Sequence, residues 1–168
     1  MPIPNNNQIS LSGEFAVLSH LYKIGLDATL TLGNTKSVDI LVISNNKLIK
    51  LEVKTSRDNL RPRMNGVFGL NYSWRLSKKN EQIMEANLFY CFVNINIEMN
   101  TYNFYIIPSK IVAKYLTKAH KTYLEKTNNK DTLMRQFMLG FKGEEYKNIP
   151  EMPLAENWEN NWEFHTEI

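Results

Sequence analysis

Two acids and an amine stand in one short stretch, VDILVISNNKLIKLEVK, residues 38–54: Asp39, Glu52 and Lys54. Converging carboxylates repel unless something offsets the charge. A hard cation such as Mg²⁺ does so, because it takes carboxylate oxygens and usually keeps several waters. An ammonium beside them holds a water next to the metal or meets a phosphate oxygen. The question is whether the chain brings the three groups together.

The stretch reads as a β-hairpin. With Asn45-Asn46 as a two-residue turn, asparagine supplies the left-handed conformation the turn demands. Ser44 then faces Lys47, Val42 meets Ile49, Ile40 meets Leu51 and Val38 meets Val53, an apolar face throughout. A slip of one residue would destroy that face, so the pattern supports the register. The opposite face carries Ile43 with Leu48, Leu41 with Lys50, and Asp39 directly opposite Glu52. Lys54 lies on the same face as Glu52, one side-chain step along. The plainer alternative is a Glu52–Lys54 surface salt bridge with Asp39 in solvent.

A first helix is expected from Ser10, as N-cap, to Ile24, with Gly25 ending it. At 100° per residue, Leu11, Phe15, Val17, Leu18, Leu21, Tyr22 and Ile24 share one apolar stripe. Glu14 lies inside that stripe, and an acid on a buried face needs a partner or a proton. Packed on the hairpin, Glu14 would reach the rim of the acidic site, and Gly13 would let the helix approach closely. The alternative is a first-turn glutamate favoured by the helix dipole.

The remaining punctuation places a strand near residues 27–32, one near Tyr72, a helix from Lys78 to Ala86, and strands in LFYCFVNIN and YNFYIIP joined near Asn100. A long helix starts at Pro108 and runs to Lys126, and mixed short helices fill the last forty residues. This order is neither strictly alternating nor all-β, so the class is α/β in the α+β sense, with a mixed sheet. The 168 residues suit one domain. No apolar run approaches the roughly 18 residues of a membrane helix. The N-terminus lacks the basic start and apolar stretch of a signal peptide. One cysteine, Cys91, reads as a core thiol and fits a reducing cytoplasm.

Charge is unevenly spread. Lys50, Lys54, Arg57, Arg61, Arg63, Arg75, Lys78 and Lys79 face only Glu52 and Asp58 between residues 50 and 79, whereas the tail from residue 144 is acidic. A basic block after two acids suits a phosphate-handling surface; a solvated basic loop is the alternative. His20 falls on the polar side of its helix, and His120 and His165 have no ligand-like company, so zinc is not expected.

Glu14, Asp39 and the EVK of residues 52–54, in the order helix, strand, strand, resemble the PD-(D/E)XK nuclease superfamily. Asp39 matches the first acid of that motif, Glu52 the second and Lys54 the lysine, while Glu14 matches a frequent extra acid. Val38 stands where the motif has proline. The resemblance spans roughly residues 10–107 and extends to small stand-alone bacterial and mobile-element members, through GEFAVLSHLYKIG and LEVKTSR.

It implies a restriction-endonuclease-like αβββαβ core, a central mixed β-sheet flanked by helices, with a helical extension over residues 108–168. It further implies a Mg²⁺-dependent endonuclease hydrolysing DNA phosphodiester bonds, with Mn²⁺ as a substitute. Asp39, Glu52 and the Val53 backbone carbonyl would hold the ion. Lys54 would orient the water or stabilise developing charge, and Glu14 would help hold a second ion. Expected nucleic-acid contacts are Lys36, Ser37, Arg57, Arg61, Arg63, Tyr72, Trp74 and Arg75, since arginine with interleaved aromatics suits phosphates and exposed bases. Lys110, Lys114, Lys118 and Lys121 form a second basic stripe. DNA is the expected partner, a homodimer the expected assembly for cutting two strands, and no membrane or organic cofactor is expected. The competing function is a catalytically silent nuclease-fold module that binds DNA or protein.

Overall fold

A computed structural model describes residues 4–31, 38–58, 60–61, 69–127, 130–146 and 150–165; of the side chains at 61, 126 and 127 nothing is described. In chain order the elements are α1 (Asn6–Lys23), β1 (Asp27–Leu30), β2 (Ile40–Ser44), β3 (Lys47–Arg57), β4 (Leu60–Arg61), β5 (Asn71–Ser77), β6 (Leu88–Asn96), β7 (Thr101–Pro108), α2 (Ser109–Thr127) and β8 (Met134–Leu139). Short 3₁₀ turns cover Lys78–Glu81 and Ala155–Asn157.

Helix α1 begins a turn earlier than expected. Asn5, not Ser10, is its N-cap: the Asn5 side chain accepts from Gln8 N–H at 3.0 Å, and Asn5 N–H donates back to the Gln8 side chain at 2.8 Å. That reciprocal box satisfies two orphan donors. Gly25, at φ +83°, lies just past the end of the helix, as predicted. The docking face is narrower than the apolar stripe. Gly13, Val17 and Leu21 are buried, whereas Leu11, Phe15, Tyr22 and Ile24 remain at least 44% exposed. Gly13 is the reason. A Cβ there would lie 1.9 Å from Thr55 Oγ1 and 2.8 Å from Thr55 Cβ, so the backbone of α1 rests directly on β3. His20, expected at the surface, turns inward and stacks on Trp162 at 4.9 Å between ring centres.

The main sheet has five strands in the order β1-β2-β3-β6-β7, antiparallel except for the β3–β6 pair. The β2–β3 hairpin has the predicted register from Ser44↔Lys47 to Ile40↔Leu51, closed by Asn45 and Asn46 at φ 49° and 59°. Both faces of the sheet are covered, which is why β6 is buried along nearly its whole length. One face packs Ile40, Val42, Leu51, Val53, Cys91 and Val93 against Val17 and Leu21 of α1. The other packs Tyr90, Phe92, Tyr105 and Ile107 against α2 and a second sheet, ordered β4-β5-β8.

A parallel pair needs a long crossover. Between β3 and β6, the described residues supply β4, β5 and the 3₁₀ turn, not the helix expected over Lys78–Ala86. Asn80 sets that turn by accepting from Ser77 N–H at 2.9 Å. The C-terminal region also departs from expectation. After α2, in place of short helices, it contributes β8, which pairs along the length of β5. A following segment then bends around β7: Ile106 N–H donates to Trp158 O at 3.1 Å and Asn160 N–H to Phe104 O at 2.9 Å. Trp158 is buried in one core and Trp162 in the other.

Candidate active site

The hairpin ladder stops one pair before the two acids. Asp39 is not the strand partner of Glu52, and Val38 does not pair with Val53. Instead Asp39 N–H donates to Leu51 O at 2.8 Å, although Leu51 is already the partner of Ile40. Asp39 and Ile40 thus both oppose Leu51 of β3, the arrangement of a β-bulge, which re-aims a side chain. Across the bulge, Thr31 N–H donates to Asp39 O at 2.9 Å, and the Thr31 hydroxyl donates to Val38 O at 2.5 Å. The re-aimed Asp39 carboxylate accepts from Val53 N–H at 2.7 Å. It takes the donor that the departed strand no longer satisfies.

Glu52 and Lys54 alternate onto one face of β3. Lys54 Nζ lies 2.8 Å from Glu52 Oε1; the Glu52 side chain is 4% exposed and that of Lys54 32%. The salt bridge therefore forms, but as a buried carboxylate under a half-open amine, and Asp39 is not in free solvent. Glu52 Oε2 is buried without a hydrogen-bond partner, a costly arrangement for a carboxylate oxygen. Burial chiefly, and the charge of Glu52 in part, hold Asp39 above the usual carboxylate range against the opposing pull of Val53 N–H and Lys54. Glu14 is likewise raised, first by burial and then by Asp39, and accepts from the Ser10 hydroxyl at 3.4 Å. The four predicted site residues thus share one electrostatic neighbourhood at the junction of α1, the bulge and β3.

No protein-family model matches the chain, and no curated protein matches it. Among solved structures it is similar to the bacterial homing endonuclease I-Ssp6803I, at 14% identity and a TM-score of 0.51, over 95% of this chain and 90% of that one. The chain has the restriction-endonuclease-like fold. Looser alignments exist to Hjc, a Holliday junction resolvase from Archaeoglobus fulgidus (12% identity, TM-score 0.42, 76% of this chain and 82% of that one), and to D212, a nuclease from a fusselovirus (11% identity, TM-score 0.40, 82% and 85%).

Within this restriction-endonuclease-like fold, the donor set can be tested against a divalent ion. Among the described residues no three of His, Cys, Asp and Glu form a ready cage. A Mg²⁺ site needs fewer protein ligands than that, because the ion keeps several waters. Glu52 offers an unpartnered buried oxygen, and Asp39 a second carboxylate. In a strand the N–H and C=O of one residue point toward the same neighbour, so the Val53 carbonyl faces the edge where β2 has left. Two carboxylate oxygens and a carbonyl at one strand edge fit a hard cation.

The predicted nucleic-acid contacts divide. Arg57 and Arg75 are exposed on β3 and β5. Trp74 does not face a ligand: it is 2% exposed and its indole N–H donates to Val93 O at 3.1 Å. Tyr72 is half-buried in an aromatic group with Tyr105 and Phe141. Second-sheet pairing over β6 turned the aromatic side of β5 inward, which local composition could not reveal. Lys36, Ser37, Arg63 and the Arg61 side chain lie outside the described residues. Lys110, Lys114, Lys118 and Lys121 are exposed along α2.

Sequence reasoning missed Tyr90. Its ring is buried beside Glu52, its strand partner across β3–β6. Burial, and then the charge of Glu52, raise its phenol well above the ordinary value. The signal was present only as a tyrosine in an otherwise apolar strand, and finding its role required the long-range parallel register.

Proposed function

We propose that the chain is a divalent-metal-dependent endonuclease that hydrolyses DNA phosphodiester bonds. The observation that carries this reading is the buried carboxylate of Glu52, whose Oε2 is left over by the ion pair with Lys54, set beside Lys54 and the bulged Asp39. The fold, shared with a bacterial homing endonuclease at a TM-score of 0.51, points the same way. An ion held by Asp39, Glu52 and the Val53 carbonyl would acidify a bound water and neutralise charge on the scissile phosphate.

The chain's own residues do the rest. Lys54 is open enough to reach solvent and rigidly placed by Glu52, so its ammonium donates to a phosphate oxygen or holds the attacking water. The Val53 N–H fixes Asp39 in one orientation before substrate arrives. Glu14 adds negative charge at the rim, where it would help hold a second ion. Arg57 and Arg75 neutralise flanking phosphates. A homodimer suits cleavage of both strands, and a cytoplasmic location suits the single buried thiol.

The test is cleavage of supercoiled plasmid, branched and single-stranded DNA by the purified protein with Mg²⁺ or Mn²⁺. Wild type cleaves at least one substrate, and Lys54→Ala loses on the order of 10² or more in rate, the scale for removing one preorganised donor. Absence of cleavage by pure wild type on every substrate would refute the reading. DNA binding that is salt-sensitive and indifferent to Asp39→Asn, without cleavage, would establish the silent module instead.

A further inference from the structure

Glu52 is buried, and Lys54 holds only one of its oxygens. Something else must fix the orientation of the other. We infer that Tyr90 is a positioning residue for Glu52, its hydroxyl proton directed onto the carboxylate by a polar chain that starts at the backbone of Ser77. The inference rests on the nuclease reading of the site and adds residues that the acid-and-lysine motif does not contain.

The polarity of the chain is fixed from one end. Ser77 N–H reaches Asn80 Oδ1 at 2.9 Å, and the Ser77 hydroxyl reaches the same atom at 2.8 Å. A backbone N–H can only donate, so this atom of Asn80 is the carbonyl oxygen. The other end of the amide is then the NH₂ group, and it stands 2.8 Å from the Tyr90 hydroxyl oxygen. An NH₂ group can only donate as well. Tyr90 is therefore the acceptor in that bond, and its single proton must go elsewhere.

The sheet register supplies the destination. Glu52 and Tyr90 are partners on adjacent parallel strands and lie on the same face, with strands about 4.8 Å apart. Asn80, Tyr90 and Glu52 are all buried, at 1%, 0% and 3% exposure, so bulk solvent does not compete for the phenol proton. Glu52 Oε2 has two lone pairs. It can accept the phenol proton on one and present the other to a cation. Partners of this kind behind a metal ligand fix its orientation, and their loss typically costs about 10–100-fold in metal affinity.

Two substitutions separate this role from simple packing. Tyr90→Phe and Asn80→Ala both break the Asn80–Tyr90 hydrogen bond, but only Tyr90→Phe removes the proton aimed at Glu52. Mn²⁺ binding to the DNA-free protein is measured by calorimetry, with the melting temperature as the control for folding. The expected result is at least tenfold weaker Mn²⁺ binding in Tyr90→Phe, a clearly smaller loss in Asn80→Ala, where the phenol keeps its proton and loses only the donor that orients it, and lowered melting temperatures in both. Equal Mn²⁺ affinity in Tyr90→Phe and wild type would overturn the role of Tyr90 while leaving the nuclease reading intact. Equal weakening in both variants would overturn it too, as a packing effect. A wild-type protein that binds no Mn²⁺ would overturn both readings. Should Tyr90→Phe not fold, the wild-type phenol proton is the readout in NMR. A slowly exchanging resonance that moves on adding Mg²⁺ supports the role, and a rapidly exchanging one that does not move overturns it.

Discussion

The seat of α1 on β3 makes Gly13→Ala a sharp test of how the site is assembled. The added methyl would sit 1.9 Å from Thr55 Oγ1 and 2.8 Å from both Cβ and Cγ2 of Thr55. Rotating the threonine does not solve the problem, because its Cβ is fixed by the strand backbone. The helix must lift. Overpacking of this kind costs up to about 3 kcal/mol, and alanine returns about 1 kcal/mol over glycine inside a helix. The net is a loss of about 2 kcal/mol, which in a domain of this size lowers Tm by about 4–8 °C. Thermal unfolding by circular dichroism reads it directly. In a Thr55→Ala background two of the three close atoms are gone, so the penalty falls by about 1 kcal/mol as a coupling energy. A Gly13→Ala protein as stable as wild type, or two substitutions that simply add, would refute the close-contact geometry and with it the placement of Glu14 beside Asp39.

Three more outcomes follow from named contacts. Asp39 and Glu14 sit above the ordinary carboxylate range, so in the metal-free protein their ionised forms cost stability at neutral pH, and that cost fades as pH falls through the raised values. A bound cation needs them ionised, so the rise in Tm given by Mn²⁺ should shrink over the same window, already above the usual carboxylate range; a Mn²⁺ effect constant from pH 8 to pH 4 would contradict this. Asp131 is held low by Lys78, at 2.6 Å, and by His120, at 2.7 Å, so its stabilising contribution is present above the ordinary carboxylate value and lost as pH falls through the depressed one; Asp131→Asn should flatten acid unfolding curves in that range. Trp74→Ala should destabilise the protein by about 3–5 kcal/mol, as loss of a buried tryptophan does, while Trp74→Phe leaves DNA affinity in a salt-titrated binding assay unchanged, because the ring faces the core.

What could be read from the sequence was what local periodicity encodes. The alternation from Val42 to Ile49 allows only one register, and the pairs from Ser44↔Lys47 to Ile40↔Leu51 follow it. Gly13 was legible because only a glycine next to a buried acid makes sense at a tight contact. The bulge at Asp39 was not legible. It arises where Thr31 of the neighbouring segment draws the backbone away, and no turn residue marks it. The direct Asp39–Glu52 pairing inferred from alternation was therefore wrong, although the charge of Glu52 still acts on Asp39. Tyr90 and Trp74 needed tertiary knowledge: the first a parallel partner across the β3–β6 pair, the second a strand, β8, laid against β5. The helix expected at Lys78–Ala86 lost to a side-chain turn, since Asn80 caps Ser77 more effectively than it supports a helix interior.

The segment that bends around β7 serves both apolar layers of the protein at once. Trp158 closes one apolar layer, and Trp162 with Phe164 closes the other, so neither layer is sealed until this one segment has folded back. A nascent chain halted near residue 150 would leave the outer edge of β7 bare, a ready template for pairing with another chain. Such shortened products should be lost to aggregation or proteolysis rather than accumulate.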